Sequence, residues 1–325
     1  MKIAVLGATG AVGRTMLEVL DERGFPAGEL VPLASERSAG TRLRWRDRDW
    51  QVCTPGPGVF DGCAIALFSA GASRSREWAP RAAEEGAIVI DNSSAWRMDD
   101  GVPLVVPEVN AAALAQRARG IIANPNCAVI QLVVALAAIR RVAALRRVVA
   151  TTFQSASGAG EKGRRALTAE LANGHATDSP FTTRLAGNVV PWIGPRSPTG
   201  WNEEEIKVRD ETRKILGEPE LAVAATCVRV PVDIGHAVSA TVELDRPVTR
   251  DEVRAAMEGV PCLTLHDDVM DPTPRDVAGT DAVRVGRLRI DQDLPHVVHC
   301  WVVADNLRKG AATNTVQIAE EVCRG

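Results

Sequence analysis

The chain of 325 residues is predicted to be an α/β protein with two domains, a doubly wound parallel sheet followed by an α+β domain. Three observations predict this class. Short apolar runs alternate with helical patterns up to about residue 141, as in a parallel sheet covered on both faces. A glycine-rich turn follows the first apolar run directly. Beyond about residue 147 longer β-rich segments predominate, and a chain of this length suits two domains.

The first domain begins with an apolar strand at residues 2–6, which ends at Gly7 and is followed by a helix at 12–20. Its strands lack the alternation of apolar and polar residues that is typical of a sheet with one exposed face. Helices should therefore cover both faces of this sheet. A long buried helix is expected at 128–141, directly after Cys127. The other predicted strands are 30–34, 65–69, 87–91 and 104–106, with a helix around 74–85.

The second domain is predicted to mix strands and helices without a repeating order. A long ordered loop, rich in proline and glycine, is expected at 180–200. The predicted strands are 148–153, 222–230, 237–244 and 297–303, and the predicted helices are 163–173, 202–216, 250–258 and 312–322.

Composition excludes several classes of protein. Lys and Arg number 38 against 41 acidic residues, for a net charge of −3, so no general field favours nucleic acid or an anionic membrane. Seven cysteines without a CxxC motif indicate neither a zinc site nor a disulfide framework, and no metal is expected. The N-terminus does not resemble a secretory signal, and the most apolar stretch, 128–139, is shorter than the roughly twenty residues of a membrane span. We therefore expect a soluble, reduced protein of the cytoplasm.

The segment Gly7–Gly13, with sequence GATGAVG, lies between the first strand and the first helix. Its glycines permit a tight turn, let the backbone approach a pyrophosphate and allow close packing of helix on strand. The helix N-terminus adds N–H groups and the positive end of a dipole. This predicts a Rossmann-type dinucleotide site, and the alternative is a plain glycine-rich turn.

The choice of nucleotide is expected to depend on Ser35-Glu36-Arg37-Ser38, after the second predicted strand. An acidic residue there would bind a ribose 2′-hydroxyl, whereas an arginine would bind a 2′-phosphate. Both types are present. Arg37 with Ser38 favours NADP, and the alternative is that Arg37 is a solvated loop charge.

Cys127 follows Asn-Pro-Asn and begins a helix, where the helix N-terminus stabilises a thiolate. That makes it a candidate nucleophile, although most cysteines outside disulfides are small buried hydrophobes. A nucleophilic cysteine needs a partner for proton transfer. Among five histidines, His236 is the candidate, because it follows a strand and a glycine and lies near Arg229 in sequence. The alternative is a structural histidine.

Ten ordered segments carry a resemblance to a known family. They are GATGAVG, FPAGELVPLASERSAG, FSAGASRS, DNSSAWRMDDGVPLVVPEVN, NPNC, TTFQSASGAG, NEEEIKVRDETRKILG, VRVPVDIGH, VAGTDAVRVGRLRID and VVADNLRKGAATNTVQIAE. With these segments the chain resembles the bacterial aspartate-β-semialdehyde dehydrogenases over nearly its whole length.

The resemblance implies a set of catalytic and substrate-binding residues. Cys127 matches the nucleophile that forms an acyl thioester, His236 the general acid/base, and Gln154 the residue that positions the substrate. The implied substrate ligands are Arg229 for the α-carboxylate, Glu204 for the amino group, Arg97 and Lys207 for the phosphate, and Asn126. From the residues alone, Glu204 and Lys207 could equally form a surface salt bridge, because they lie three residues apart on a predicted helix.

The resemblance also implies NADP as the cofactor. The implied contacts are Gly7, Thr9, Gly10, Ala11, Val12 and Gly13 in the turn, Arg37 and Ser38 after the second strand, and Ser157, Gly158 and Asn306. It implies a discontinuous NADP-binding domain of residues 1–127 with about 304–325, and a catalytic and dimerisation domain of residues 128–303. The implied assembly is a homodimer or homotetramer, acting on small molecules.

Four positions depart from the family pattern. Ala128 and Val129 follow Cys127 where hydroxyl residues are usual, Phe153 replaces a tyrosine, and Ala237 replaces a serine after the histidine. We expect each change to remove a hydroxyl beside the site, which bears on the pKa of the Cys127 thiol and on the rate.

The activity implied is reversible, NADPH-dependent conversion of L-aspartyl 4-phosphate to L-aspartate 4-semialdehyde. This product is the branch point toward lysine (through diaminopimelate), threonine, methionine and isoleucine. Two alternatives are a paralogous acyl-phosphate or acyl-thioester reductase of another pathway, and a catalytically silent NADP-binding homologue. The presence of both Arg229 and Glu204 argues against the first, and the retained cysteine and histidine argue against the second.

Overall fold

The computed structural model describes residues 1–266 and 271–324, which form two compact units. The first joins residues 1–125 to the C-terminal residues from Ala311 on, and the second comprises Asn126–Gly310. The sequence analysis expects junctions at residue 127 and near residue 304.

The first unit contains a parallel five-stranded sheet in the order β2-β1-β5-β6-β7. This is the predicted doubly wound arrangement. A two-stranded hairpin, β3 with β4, lies outside the sheet and was not predicted. The strands are β1 (Lys2–Leu6), β2 (Glu29–Leu33), β3 (Arg42–Trp45), β4 (Arg48–Gln51), β5 (Cys63–Phe68), β6 (Ile88–Asp91) and β7 (Ile121–Ala123), and the helices are α1 (Ala11–Glu22), α2 (Ala72–Glu84), α3 (Pro107–Asn110) and α9 (Thr313–Arg324).

The strand predicted at 104–106 is wrong, because the fifth strand of the sheet is β7. Leu104 makes only an isolated bridge with Ala123. Residues 103 and 105 bond Ala123, but Pro107 and Pro125 lack the N–H groups that the next two bonds of this parallel ladder would need. On the opposite edge the side chain of Asn110 accepts from the N–H of Val106 and donates to the carbonyl of Leu104, both at 2.9 Å. The pairing with β7 therefore ends after a single bridge.

The C-terminal helix α9 belongs to the first unit because its apolar face is buried there. Val316 and Ile318 pack in the same core as Ile3 of the central strand. Arg23, the residue directly after α1, forms a bidentate ion pair with Glu320 of α9, with N–O distances of 2.8 and 2.7 Å. The chain therefore leaves the first unit and returns to complete it.

The second unit contains a mixed six-stranded sheet in the order β11-β12-β13-β10-β8-β9. The sequence analysis predicted four of these strands and missed β11 and β12. In β12 arginines alternate with apolar residues, and its register shifts near Gly286. The strands are β8 (Leu145–Gln154), β9 (Ala222–Arg229), β10 (His236–Leu244), β11 (Leu263–Leu265), β12 (Val283–Ile290) and β13 (Val297–Ala304), and the helices are α4 (Cys127–Ile139), α5 (Gly160–Asn173), α6 (Glu203–Leu216), α7 (Arg250–Met257) and α8 (Pro274–Val277).

Helix α4 is the most buried element of the second unit, with eleven of its thirteen residues buried. It packs against α6, α7 and the sheet, so its first residue, Cys127, is held on a rigid element. Within residues 1–266 and 271–324, no helix combines the length and apolarity needed to cross a membrane.

Candidate active site and nucleotide-binding turn

The glycines of the turn after β1 are required by close backbone contacts. Gly7 has a φ of +92°, and a Cβ there would lie 2.5 Å from the carbonyl oxygen of Ser69. A Cβ on Gly13 would lie 2.2 Å from the carbonyl oxygen of Gly7. Both distances are far below van der Waals contact, so larger residues would force the backbone apart.

The start of helix α1 presents backbone donors without a side-chain cap. Gly10 is the N-cap residue and supplies no side-chain hydrogen bond. The first N–H groups of a helix have no partner within the helix, and they form the positive end of its dipole. The predicted contacts Ala11, Val12 and Gly13 lie at this helix start, where backbone N–H groups could donate to an anion such as a pyrophosphate.

A cavity of about 340 Å³ opens beside this turn at the carboxyl ends of β1 and β2. Ligands of doubly wound sheets bind at this end of the strands. The sequence analysis missed several wall residues because they follow β4 and β5 rather than the glycine turn. The lining residues are Leu6, Gly7, Thr9, Ala34, Ser35, Glu36, Thr54, Pro55, Ala70, Arg74 and Trp78. The donor set and the space both fit a nucleotide.

Arg37 and Ser38 line a second cavity, of about 680 Å³, together with Thr9. Thr9 borders both cavities, and its hydroxyl lies 3.5 Å from that of Ser38. Arg37 is exposed, so its charge is available to a bound anion. These positions fit the predicted site for a ribose 2′-phosphate.

Arg97 is buried in the first unit and is oriented by backbone carbonyls. Its Nε donates to the carbonyl of Asn124 at 3.0 Å, and its Nη2 donates to the carbonyl of Asn92 at 2.8 Å. Three asparagines that the sequence analysis did not single out hold these carbonyls: Asn314 donates to Asn124 at 2.7 Å, and Asn124 donates to Asn92 at 2.9 Å. The C-terminal helix therefore helps to fix Arg97.

Cys127 is the first residue of helix α4, as predicted, and it is partly buried. Asn126 caps the helix, because its Oδ1 accepts from the N–H of Ala128 at 2.9 Å. The cap is worth about 1 kcal/mol and fixes the start of the helix. Ala128 and Val129, which lack the expected hydroxyls, are buried in the core, so capping falls to Asn126 alone among these side chains.

Helix α6 places a carboxylate between Asn126 and Gln154. Oε1 of Glu204 accepts from Nδ2 of Asn126 at 2.8 Å and from Nε2 of Gln154 at 3.1 Å. Lys207 on the same face pairs with Glu203 at 2.7 Å and lies 3.6 Å from Glu204. The salt bridge between Glu204 and Lys207 that their spacing allowed is therefore present. Glu204 also contacts Asn126 and Gln154, two of the predicted site residues.

Arg229 is buried at the end of β9 and packs on the backbone of Gly158. Its Nη1 donates to the carbonyl of Ser155 at 2.7 Å. A Cβ on Gly158 would lie 2.6 Å from that Nη1 and 3.1 Å from Nε2 of His236. Gly158 thus leaves room for the side chains of Arg229 and His236. This is a structural reason for a glycine at this position, in addition to its predicted contact with a cofactor. Burial lowers the pKa of Arg229, and Glu204 and Cys127 oppose that shift.

His236 is fully buried, and its tautomer follows from its neighbours. The N–H of Ser155 donates to Nδ1 at 3.1 Å, so in the neutral ring the proton resides on Nε2. Burial, helped by the charge of Arg229, lowers the pKa of His236 to about 3. The side chain is therefore a neutral imidazole whose Nε2–H has no hydrogen-bond partner among the described residues.

Asn306 organises the loop that carries Ser155 and Ser157. Its Oδ1 accepts from the N–H of Gly235 at 2.9 Å and from the hydroxyls of Ser155 and Ser157 at 3.1 and 3.0 Å. Because Gly235 directly precedes His236, one amide oxygen fixes both sides of the imidazole. The structure thus gives Asn306 a positioning role besides the predicted contact with a cofactor.

Two departures from the family pattern, Phe153 and Ala237, lie opposite each other on paired strands. Both belong to a small apolar cluster with Val277, Val303 and Trp301. Successive residues of a strand point to opposite faces, so these side chains point away from the neighbouring Gln154 and His236. We expected Phe153 and Ala237 to remove hydroxyls beside the site. That expectation is wrong, because residues adjacent on a strand point to opposite faces of the sheet.

The other cysteines differ from Cys127 in their surroundings. Burial raises the pKa values of Cys227 and Cys300 to about 12, which keeps both thiols protonated. Cys53 and Cys323 are exposed but lie away from any helix N-terminus of the kind that stabilises a thiolate. No disulfide links any of the seven, all of which lie in the described residues.

Comparisons with known proteins agree with this geometry. Residues 2–117 match the semialdehyde dehydrogenase NAD-binding domain, and residues 136–309 match the semialdehyde dehydrogenase dimerisation domain. The aspartate-semialdehyde dehydrogenase of Aquifex aeolicus is 46% identical over 329 residues, covering 98% of this chain and 97% of the relative.

Solved structures agree as well. The aspartate semialdehyde dehydrogenase II of Vibrio cholerae, in complex with the ligand abbreviated ASA, is 46% identical with a TM-score of 0.96, and the match covers 99% of this chain and 98% of that one. The Candida albicans enzyme with NADP is 25% identical with a TM-score of 0.77, covering 99% and 98%.

Proposed function

The chain belongs to the aspartate-semialdehyde dehydrogenase family of amino-acid biosynthesis, and from that premise we propose the reaction in detail. The enzyme reduces L-aspartyl 4-phosphate with NADPH to L-aspartate 4-semialdehyde and phosphate, reversibly, through an acyl thioester on Cys127. The observation that carries the proposal is the placement of Cys127 at the capped N-terminus of a buried helix, beside an Asn126–Glu204–Gln154 hydrogen-bond chain.

In the first step the thiolate of Cys127 attacks the acyl carbon of the phosphorylated substrate. The new C–S bond forms as the C–O bond to phosphate breaks, and phosphate leaves with the electron pair. The helix dipole and the charge of Arg229 favour the thiolate. We assign the phosphate to Lys207 and Arg97, whose positive charges would stabilise the leaving group.

In the second step the thioester is reduced. When bound, the reduced nicotinamide supplies a hydride to the acyl carbon. The Nε2–H of His236 then donates a hydrogen bond to the oxygen that becomes negative. When the C–S bond breaks, that oxygen returns to a carbonyl, and the thiolate of Cys127 is restored. A neutral imidazole performs this task without becoming charged, in keeping with its burial.

Two charged residues match the two ends of an amino-acid substrate. Arg229 has the planar guanidinium that suits a carboxylate, and Ser155 and Gly158 hold it in one orientation. Glu204 offers an acceptor for the ammonium group, and Gln154 lies next to it. We propose that these residues align the substrate carbonyl with Cys127.

We further propose NADP as the physiological nucleotide, with its 2′-phosphate on Arg37 and Ser38. The exposed guanidinium of Arg37 and the NADP complex of the Candida albicans enzyme support this choice. The proposed cofactor contacts in the second unit are Ser157, Gly158 and Asn306. We assign residues 1–127 with about 304–325 to cofactor binding, and residues 128–303 to catalysis and dimerisation. A homodimer or homotetramer and a cytoplasmic location complete the proposal.

The test is a steady-state assay in the reverse direction, with L-aspartate 4-semialdehyde, phosphate and NADP. The proposal expects NADPH formation that requires all three reactants. Arsenate in place of phosphate should support turnover, because it too can attack a thioester. Formation of NADPH without either oxyanion would contradict release of the acyl group to phosphate.

A further inference from the structure

We infer that Glu211 is a positioning residue for the nucleophile, a role that rests on the proposed function and extends it. Its carboxylate reaches the residue directly before Cys127. Oε2 of Glu211 accepts the backbone N–H of Asn126 at 2.6 Å. Glu211 is only 1% exposed, so this contact is sheltered from water.

The geometry of helix α6 explains how one helix reaches Asn126 twice. Glu204 and Glu211 are seven residues apart, which is two helical turns to within about 20°. Both carboxylates therefore lie on the same stripe of α6, the helix that packs against α4. Glu204 holds the side-chain amide of Asn126, and Glu211 holds its backbone N–H.

These contacts hold the backbone N–H and both side-chain polar atoms of Asn126, at the start of the nucleophile helix. The Nδ2 of Asn126 donates to Glu204, its N–H donates to Glu211, and its Oδ1 accepts from Ala128. Asn126 can therefore adopt one orientation. Because Asn126 is the N-cap of α4, its orientation fixes the direction of the Cα–Cβ bond of Cys127.

The contribution of Glu211 comes from its position and not from its charge. A carboxylate near the start of α4 would disfavour a thiolate there. What it supplies is an oxygen atom at one point in space. A displacement of about 1 Å at a reacting group lowers rates about a hundredfold, and a cysteine that moves from the helix N-terminus loses stabilisation of its thiolate.

Three variants separate these contributions. Glu211→Gln keeps an oxygen at the same reach and removes the charge, Glu211→Ala removes both, and Glu211→Asp keeps the charge on a shorter side chain. Asp210→Asn is the matched control. It also replaces a carboxylate by an amide, on the residue of α6 directly before Glu211, and Asp210 pairs with Arg209. The measurements are kcat, the KM values for semialdehyde and phosphate, and the pH midpoint of Cys127 alkylation by iodoacetamide.

A positioning role predicts rescue by the amide. Glu211→Ala and Glu211→Asp should lower kcat by about 10- to 100-fold, with both KM values within about twofold. Glu211→Gln and Asp210→Asn should retain kcat within about threefold. The alkylation midpoint of Glu211→Ala should lie higher than that of Glu211→Gln, and since both variants lack the charge, the difference reports the position of the thiol.

Equal kcat and equal alkylation midpoints in Glu211→Ala and Glu211→Gln would overturn the inference and leave Glu211 a purely structural residue, visible only in thermal stability. If Glu211→Ala fails to fold, the kcat values of Glu211→Asp and Glu211→Gln are compared instead. Equal kcat values in these two variants would likewise overturn the inference. The alkylation midpoints need no substrate, so they test the role of Glu211 even if the proposed reaction is not observed.

Discussion

The two polar regions of this molecule are built by different means. The turn after β1 presents backbone N–H groups, and its shape depends on the absence of side chains at Gly7 and Gly13. The region around Cys127 depends on side chains that converge from helix α4, helix α6 and the ends of three strands. A backbone site is contiguous in sequence, whereas a side-chain site is assembled by the fold. The turn should therefore be disrupted by an added methyl group. The region around Cys127 should instead be disrupted by the removal of a functional group.

The largest expected effect is the loss of the nucleophile. Cys127→Ala should abolish turnover and the fastest-reacting thiol while leaving the fold intact, because the thiol bears the covalent step. Cys53→Ala is the control, since Cys53 is exposed and lies at no helix N-terminus. Rates of semialdehyde turnover and mass spectrometry of alkylated peptides measure both effects. Comparable turnover in Cys127→Ala would rule out the thioester.

The matching test on the backbone site adds one methyl group. In Gly13→Ala the new Cβ would lie 2.2 Å from the carbonyl oxygen of Gly7, and neither backbone can move freely. We expect destabilisation by about 3–5 kcal/mol, in the range of severe core changes. Gly28→Ala, which has open space around it, should change stability by about 0.5 kcal/mol or less. Urea midpoints compare the two variants, and equal midpoints would show that the turn tolerates a side chain.

The same contrast explains which features could be predicted from the sequence. The GATGAVG turn and the strand before it are local, so the spacing of glycines and apolar residues was sufficient to predict both. The motifs around Cys127, Gln154 and Arg229 were recognised one at a time through resemblance. Their arrangement was not predicted, because Glu211 acts across 85 residues of chain on the N–H of Asn126.

Two errors in the sequence analysis have a more local origin. The segment 104–106 has the composition of a strand, but Pro107 and Pro125 lack the N–H groups that would continue its pairing with β7. Phe153 and Ala237 adjoin site residues in sequence, but strand alternation turns them to the opposite face. In both cases a backbone rule decided the outcome, the missing N–H of proline or the period of two in a strand, and not the composition of the segment.

Two arginines allow the side-chain site to be divided by function. Arg97→Lys and Arg229→Lys keep the charge but lose the planar fork. Arg97→Lys should raise mainly the KM for phosphate, and Arg229→Lys mainly the KM for the semialdehyde, each by about 10- to 100-fold, the value of a charge-assisted hydrogen bond. The reverse assay measures the two constants separately. If both variants changed the same KM, our assignment of the two anions would be wrong.

A smaller effect is expected where a side chain supplements the backbone site. Arg37→Ala should raise the KM for NADP by about tenfold or more and leave that for NAD nearly unchanged, because only NADP carries the 2′-phosphate. The exposed Arg48 on β4, which lines neither cavity, provides the control variant Arg48→Ala. Steady-state kinetics with each nucleotide test the difference. Equal use of NADP and NAD by the unmodified enzyme would contradict the proposed selectivity.

The dependence of stability on pH tests the neutral imidazole of His236. In the unfolded chain a histidine has a pKa near 6.5, whereas burial lowers the pKa of His236 to about 3 in the folded protein. Between these values the unfolded state binds a proton that the folded state does not. Stability contributed by the neutral ring is therefore present above pH 6.5 and is lost as the pH falls toward 3, by up to about 1.4 kcal/mol per pH unit.

Replacing the imidazole by a group that does not titrate should remove this dependence. Between pH 7 and pH 5 the wild type should lose about 2 kcal/mol more stability than His236→Gln, whose side-chain oxygen can still accept the N–H of Ser155. The other four histidines are present in both proteins, so the difference isolates His236. Urea unfolding at the two pH values measures it. Equal losses would mean that His236 takes up its proton in the folded protein, and the proposed neutral donor at Nε2 would then be an imidazolium acid instead.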